Sequence, residues 1–310
     1  MLSLSPNKAE PHPTGLQNLL GVSFLTHPGE KNKLTFAKIF SCMKYVLVLI
    51  SLVILWSCNS NNVIEDNSLK SIFDQNGTQG TFALLDNGSN KFTVYNLKRY
   101  RDSAFTPAST FKIVNGLIGL QTGVVENDSM VIKWDGLQRP AADWNRDLNF
   151  YNAFRVSAVP YFQEVARRIG RDTMQRWLDT LAYGSKKIKS RIDTFWLDGS
   201  LTIRPDEQMG LVKRLYFNQL PFHKVNQESV KRAMLMEDQP AYKLSYKTGM
   251  TQDPKTGRQM GWIVGYIEEN RHPFFFVLNL DAPAQVDLQK ARMAVLKSCL
   301  DKLGFMKGKK

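Results

Sequence analysis

Cysteine and histidine are both scarce in this chain of 310 residues, which contains three of the former and four of the latter. The cysteines are Cys42, Cys58 and Cys299, and none lies in a C-x-x-C spacing, while no two histidines stand four residues apart. We therefore expect no metal site, since zinc is held by clusters of these residues. A Ser-His-Asp triad is equally unexpected, because no histidine lies in a distinctive setting.

Linkers rich in glycine or serine are absent, as are repeats at a fixed period. Apolar residues make up 43% of the chain and charged residues 22%, which is ordinary for a globular protein. The net charge is +13, but the basic residues are scattered and no basic run alternates with aromatic residues. This patterning disfavours nucleic-acid binding, whereas a small anionic substrate would suit the charge.

The one long apolar run, residues 45–56 (YVLVLISLVILW), is too short for a membrane-spanning helix, which needs about 20 residues. Lys44 precedes the run, and Leu55-Trp56-Ser57-Cys58 ends it in a way that resembles a bacterial lipobox. The sequence therefore predicts a lipoprotein signal peptide over 43–57, with lipidation of Cys58. The expected product is a periplasmic protein anchored to a membrane, in this case the outer membrane, through that lipid alone. An uncleaved N-terminal anchor is the alternative.

Residues 1–42 precede the start-like pair Met43-Lys44, and we interpret them as an upstream extension or a start assigned too early. The polar stretch Asn59 to Asn67 predicts a flexible tether, so that residues 58–79 form a tether and lead-in. Residues 80–310 are then expected to form one compact domain. The oligomeric state is left open.

Strand-like runs occur at both ends of this domain, with a mainly helical stretch over 120–235 between them. Asp86-Asn87-Gly88 separates the first two runs and indicates a hairpin. The predicted strands are Gly80–Leu85, Lys91–Tyr95, Tyr242–Lys247, Gly261–Ile267 and Phe274–Leu280, and the predicted helices include Tyr161–Ile169, Arg171–Leu181 and Val286–Leu303. The pattern predicts an α+β fold, with a central antiparallel sheet flanked by helices and a helical subdomain.

Ser109-Thr110-Phe111-Lys112 is an S-x-x-K motif at the start of a predicted helix. The i,i+3 spacing puts Ser109 and Lys112 on one face, where an uncharged lysine can activate the serine. The motif alone is weak, because Ser5-Pro6-Asn7-Lys8 has the same form. The alternative for Ser109 is a helix N-cap beside a solvated lysine.

Lys247-Thr248-Gly249 follows a β-rich run and offers a cation and a hydroxyl to an anionic substrate group. Its glycine lets ligand and backbone come close. A second K-T-G, residues 255–257, follows Asp253-Pro254 and is typical of a turn. A charged hairpin edge is the alternative for both. Ser157-Ala158-Val159 carries no meaning by itself.

Five segments together resemble the class D (oxacillinase-type) serine β-lactamases, whose fold is of the β-lactamase/transpeptidase type. The S-D-N motif of class A is absent. The similarity extends from about Gly80 to Gly304. The segments are Pro107-Ala108-Ser109-Thr110-Phe111-Lys112-Ile113, Lys133-Trp134-Asp135-Gly136 with Trp144-Asn145-Arg146-Asp147, Ser157-Ala158-Val159, Phe195-Trp196-Leu197-Asp198-Gly199, and Lys247-Thr248-Gly249 with Gly261-Trp262.

The resemblance implies a role for each matching residue in hydrolysis of a β-lactam, the expected small-molecule partner. Ser109 would be acylated, and Lys112 would act as general base after N-carboxylation by carbon dioxide. No cofactor is expected, and carbon dioxide would be the one co-reactant. Trp196 would donate its indole N–H to the carbamate. Ser157 would relay a proton to the leaving nitrogen.

The same resemblance implies the remaining binding residues. The N–H groups of Ser109 and Met250 would form the oxyanion hole. Lys247, Thr248, Gly249 and Arg292 would hold the substrate carboxylate, for which the Arg292 fork is suited. The residues expected to line the apolar pocket around the lysine are Phe111, Val114, Val159, Trp196 and Leu197.

One departure from the family pattern is visible. Tyr183-Gly184-Ser185 stands where the family usually has Tyr-Gly-Asn, so that a hydroxyl replaces an amide. We expect this change to alter a structural hydrogen bond rather than the chemistry. Pro160 after Val159 also adds local stiffness.

Two further functions share the motifs. A β-lactam sensor domain would be acylated but would barely deacylate, and a penicillin-binding transpeptidase or peptidase would act on cell-wall peptides. Sensors of this kind carry several membrane spans, and the transpeptidases are longer. The sequence therefore favours a hydrolase, without indicating its substrate range or whether carbapenems are included.

Overall fold

The computed structural model describes residues 62–310. The predicted extension, the signal peptide and Cys58 lie outside this part of the chain. Three short 3-10 turns cover Asn67–Leu69, Ala108–Phe111 and Ala142–Trp144. The strands are β1 (Val63–Glu65), β2 (Gln79–Asp86), β3 (Lys91–Tyr95), β4 (Val131–Ile132), β5 (Leu148–Asn149), β6 (Leu235–Asp238), β7 (Lys243–Gln252), β8 (Gln259–Glu269) and β9 (His272–Ala282). The helices are α1 (Lys70–Gln75), α2 (Leu97–Asp102), α3 (Lys112–Gln121), α4 (Phe150–Arg155), α5 (Val159–Ile169), α6 (Arg171–Leu181), α7 (Pro205–Tyr216), α8 (Lys224–Met234) and α9 (Leu288–Lys302).

Seven strands form one sheet in the order β1-β3-β2-β9-β8-β7-β6. Neighbouring strands are antiparallel except β1 and β3, which run parallel at one edge. The strands β4 and β5 pair separately within the helical part. The predicted α+β fold with flanking helices and a helical subdomain is confirmed, with a mixed rather than a purely antiparallel sheet.

Both faces of the sheet are buried, and β9 shows this most clearly. Phe275 and Val277 point into one hydrophobic cluster, whereas Phe274, Phe276 and Leu278 point into another. This alternation is the period of two that a pleated strand imposes. The central strands are therefore apolar on both sides, and helices must cover each face.

The two hydrophobic clusters divide the helices. The helix α9 packs on one face through Leu288 and Val295, and α1 adds Phe73 there. The longer helical segment from α3 to α8 covers the other face, where Leu117 and Phe162 lie fully buried. None of the helices in residues 62–310 combines the length and the apolar character needed to cross a bilayer.

The helix and strand predictions match the observed bounds closely, and the domain start does not. The predicted strand 91–95 and helix 171–181 have the observed limits, and the three C-terminal strands are each longer than predicted. Residues 63–75 were expected in a tether, yet β1 pairs with β3 and Phe73 is fully buried. The folded domain thus begins near residue 63 rather than at Gly80. Ile72 and Phe73 are buried and attach this segment to the core, but the polar residues before them in the chain gave no sign of it.

Distant parts of the chain meet at the centre of the sheet. The strand β2 pairs with β9 over its whole length, from Gln79 opposite Asp281 to Asp86 opposite Phe274. The hairpin formed by β2 and β3 is therefore joined to the sheet only through the last strand of the chain.

Candidate active site

Ser109 lies in the 3-10 turn before α3, and several contacts fix this turn. Ala108 adopts a left-handed backbone conformation with φ of 50°, which is rare for a residue with a side chain. Its N–H donates to the Trp196 carbonyl at 3.0 Å, and the Trp262 indole donates to the Thr106 carbonyl at 2.9 Å. Such strain persists only where the surroundings enforce it, and it is typical of functional sites.

Lys112 begins α3 directly below the serine. Its side chain is fully buried, and Nζ lies 2.6 Å from Ser109 Oγ and 3.1 Å from Ser157 Oγ. Burial, together with the charge of Lys247, holds the pKa of this amine well below its ordinary value. The expected juxtaposition of Ser109, Lys112 and Ser157 is therefore present, and the amine points into the protein rather than into solvent.

Ser157 stands in the turn between α4 and α5. It too has a left-handed backbone, with φ of 54°. Its Oγ lies between two lysines, 3.1 Å from Nζ of Lys112 and 2.9 Å from Nζ of Lys247. A hydroxyl between two amines can pass a proton from one to the other or to a third group.

Lys247 reaches the site from the middle of β7. The side chain is 1% exposed, and burial with the charge of Arg292 lowers its pKa to about 7. Thr248 and Gly249 follow on the strand. A Cβ on Gly249 would stand 2.9 Å from the Pro107 carbonyl oxygen, so only glycine lets β7 approach the Ser109 turn this closely.

Arg292 projects from α9 toward the same strand. Its Nη1 donates to the Gly249 carbonyl at 3.0 Å, while its buried Nε has no partner within residues 62–310. Burial lowers the pKa of Arg292 to about 10, so it remains charged at neutral pH. Met250 follows Gly249 on β7 and its side chain is exposed.

Most of the residues predicted to line the pocket around Lys112 belong to one hydrophobic cluster. Phe111 stacks on Trp196 with ring centroids 5.3 Å apart, and Val114 belongs to the same cluster, against which Leu197 packs. Val159 is half-buried at the start of α5 and does not belong to that cluster. The indole Nε1 of Trp196 is buried and donates to no group of the described chain.

The second K-T-G motif, residues 255–257, lies in the tight turn between β7 and β8. Asp253 Oδ1 accepts the N–H of Lys255 at 2.8 Å, which closes the turn. The interpretation of this motif as a turn is confirmed, and it plays no part in the cleft.

Sequence reasoning missed a buried polar contact next to the Ser109 turn. Gln208 on α7 donates to Thr110 Oγ1 at 2.6 Å, and Thr110 donates in turn to the Pro107 carbonyl at 2.6 Å. Gln208 and Thr110 are both fully buried. Only their buried position marks them, and no motif in the sequence points to Gln208.

Ser185 retains a structural role. Its Oγ accepts the N–H of Thr202 at 3.1 Å, and its own N–H donates to the Thr202 carbonyl at 2.8 Å. The hydroxyl thus joins two loop segments. Within residues 62–310, no three histidine, cysteine or acidic side chains come together as metal ligands.

Comparison with known proteins agrees with this geometry. Residues 69–301 match the family model of the penicillin-binding protein transpeptidase domain. The β-lactamase OXA-48 from Klebsiella pneumoniae is 40% identical over 238 residues, which are 76% of this chain and 88% of that protein. The regulatory protein BlaR1 from Bacillus licheniformis is 34% identical over 242 residues, 78% of this chain and 40% of that protein. The crystal structure of the class D β-lactamase FUS-1 from Fusobacterium nucleatum subsp. polymorphum superposes with a TM-score of 0.74 at 37% identity, covering 79% of this chain and all of that one.

Proposed function

Because the chain belongs to the penicillin-binding transpeptidase-domain family and is a homologue of the class D β-lactamases, we propose that it hydrolyses β-lactams through an acyl-enzyme on Ser109. One observation carries the proposal. A buried amine with a depressed pKa, that of Lys112, lies 2.6 Å from the Ser109 hydroxyl. A serine needs such a neighbouring base to act as a nucleophile.

Acylation then follows from the contacts of Ser109. Its Oγ attacks the lactam carbonyl carbon while the base at position 112 takes the proton. The backbone N–H groups of Ser109 and Met250 would stabilise the oxyanion, because β7 at Gly249 lies against the serine turn. The ring C–N bond breaks, and the nitrogen takes a proton from Ser157, which Lys112 or Lys247 replenishes.

We further propose that carbon dioxide carboxylates Lys112. A neutral amine attacks carbon dioxide with loss of a proton, and burial keeps this amine neutral. The unpartnered indole N–H of Trp196 supports the proposal, since among the described residues it has no acceptor and a carbamate oxygen would provide one. The carbamate would supply the general base for acylation and for activating the deacylating water.

The substrate carboxylate would lie between Lys247, Thr248 and Arg292. Lys247 is protonated over part of its population near neutral pH, and Arg292 is charged throughout. Neither pairs with a carboxylate of the described chain, so both charges are available to an anion. Export as a lipoprotein anchored at Cys58 remains part of the proposal, and mass spectrometry of the mature N-terminus tests it.

Similarity to BlaR1 supports a second candidate, a β-lactam sensor that is acylated without turnover. Nitrocefin added to the purified protein separates the two. We expect sustained hydrolysis that rises with added bicarbonate. A single stoichiometric burst with a stable acyl-protein would favour the sensor, and no reaction with Ser109 at all would contradict both.

A further inference from the structure

A cavity of about 410 Å³ opens in the helical subdomain. The strands β4 and β5, the loop that joins them and the helix α5 form its walls. None of the lining residues is among those placed around Ser109 above. Its volume lies within the range of about 300–1,000 Å³ typical of small-molecule sites.

Aromatic rings form much of the cavity wall, and hydrogen bonds hold them in place. Trp134 donates its indole N–H to a main-chain carbonyl at 3.0 Å, and Trp144 does so at 3.1 Å. The Tyr161 hydroxyl donates to a third carbonyl at 3.1 Å. Because their polar tips are satisfied within the protein, the rings offer rigid apolar surface for a flat ligand.

Two cations at this cavity are almost free of counter-charges. Lys133 forms no ion pair within residues 62–310. Arg146 pairs only with Asp143, three residues earlier in the chain, at 3.3 Å, and both side chains are more than half exposed. An exposed pair of this kind contributes little, so Arg146 remains able to bind another anion.

Two more cations on α5 leave the cavity with a positive balance. Arg167 and Arg168 both bind Glu164, at 2.9 Å and 2.8 Å. The other lining carboxylate, Asp135, is held by Arg139, which lies outside the lining. Arg167 also binds Asp193 at 2.7 Å, outside the lining. Among the four lining cations, Lys133 therefore has no carboxylate partner in the described chain, and Arg146 has only its exposed pair.

From this arrangement we propose that the cavity binds an organic anion with an aromatic body and a carboxylate group. The body would stack on Trp134 and Trp144, and the carboxylate would accept hydrogen bonds from Arg146 and Lys133. Arginine presents a planar fork that matches a carboxylate, and an indole face attracts flat rings. None of the lining residues is among those placed around Ser109, although Trp144 binds the carbonyl of Val156, next to Ser157. The proposal does not depend on β-lactam turnover.

Isothermal titration of the full chain with naphthalene-2-carboxylate tests the proposal, with naphthalene-2-methanol as a neutral probe of the same shape. We expect the carboxylate to bind at least about tenfold more tightly than the alcohol at low ionic strength, and to lose that advantage as salt is added. The double variant Lys133→Gln/Arg146→Gln should lose about tenfold in affinity. Lys98→Gln, at an exposed pair on α2, is the matched control and should bind as the parent does.

The catalytic cleft also contains cations, so the titration is repeated with Lys247→Met. Unchanged affinity in that variant assigns the binding to the cavity. Two results overturn the proposal. In the first, Lys247→Met abolishes binding while Lys133→Gln/Arg146→Gln retains it. In the second, titration with naphthalene-2-carboxylate up to about 1 mM gives no heat of binding. Circular dichroism and the unfolding temperature of each variant show whether the fold is kept.

Discussion

The lysines of the catalytic cleft and the lysines on the surface of this protein differ in burial and in their partners. Lys112 and Lys247 are buried, 2.6–3.1 Å from hydroxyl oxygens, and neither has a carboxylate partner in residues 62–310. Lys70 is exposed on α1 and binds Asp74 at 2.7 Å. The pKa of Lys70 is raised by that hydrogen bond, whereas burial lowers the pKa of both cleft lysines.

The difference indicates that the buried lysines of the cleft lower the stability of the fold and gain reactivity. A buried lysine without a counter-charge is costly to its fold, and it relieves that cost by losing its proton. A neutral amine is a base and a nucleophile, which an exposed and paired lysine at pH 7 is not.

Lys112→Met removes the proposed base and shortens the unbranched side chain by one heavy atom. We expect nitrocefin turnover to fall by about 10³-fold or more, within the range that general bases supply. The unfolding temperature in bicarbonate-free buffer should not fall, because the substitution removes an amine whose burial destabilises the folded state. Lys70→Met is the control, and turnover of that variant should equal the parent's. Unimpaired turnover in Lys112→Met would remove the base mechanism.

Gly249→Ala tests the close approach of β7 to the serine turn. The added Cβ would stand 2.9 Å from the Pro107 carbonyl, so strand and turn must separate. A shift on the order of 1 Å near the oxyanion donors is expected to lower kcat by about 10²-fold. Gly210→Ala on α7 meets no atom within 4 Å and should leave kcat unchanged. Equal kcat in both variants would contradict the proposed oxyanion hole.

Lys247 makes folding stability depend on pH in a known direction. Its folded pKa of about 7 lies below the ordinary 10.5, so between these values the unfolded chain binds the proton and the folded chain does not. Lys247 should therefore make stability rise with pH over that window and contribute at most about 1.4 kcal/mol per unit to the slope. The lowered pKa of Lys112 contributes in the same direction. Urea titrations from pH 7 to 10, free of carbon dioxide, measure this slope. Lys247→Met should show a smaller slope, and an equal slope would refute the assignment.

Gln208→Leu removes the buried donor to Thr110 Oγ1. We expect kcat to fall by roughly tenfold with little change in KM, since the serine turn is loosened while the substrate-binding residues stay. The unfolding free energy should fall by about 1–3 kcal/mol. Gln289→Leu, at an exposed position of α9, serves as the matched change. A KM effect without a kcat effect would assign Gln208 a role in binding instead.

Much of the fold could be predicted because its signals are local. The Asp86-Asn87-Gly88 turn and the continuous β-rich run Phe274–Leu280 in β9 each indicate their structure directly. The strand β1 escaped prediction because three residues carry no readable period, and its pairing with β3 is a tertiary contact. The same holds for α1, whose buried Phe73 follows a polar stretch.

The site was predictable only in part, for a related reason. Ser109 and Lys112 are neighbours on one turn, so their spacing alone implies proximity. Ser157 lies beside them only because the tertiary fold brings the turn between α4 and α5 to this point. In the sequence, only the family resemblance indicated its role. Gln208 has no motif at all, since its role depends on α7 passing under Thr110. The roles assigned to the cleft residues stay predictions until the variants are measured.

The late pairing of β2 with β9 has a consequence for how the protein comes into being. As the chain leaves the ribosome, the hairpin of β2 and β3 is made first and has no sheet to join until β9 follows. Contacts this far apart in sequence form slowly, and the waiting hairpin exposes strand edges meanwhile. Removal of β9 would therefore leave the hairpin of β2 and β3 unattached to the rest of the sheet.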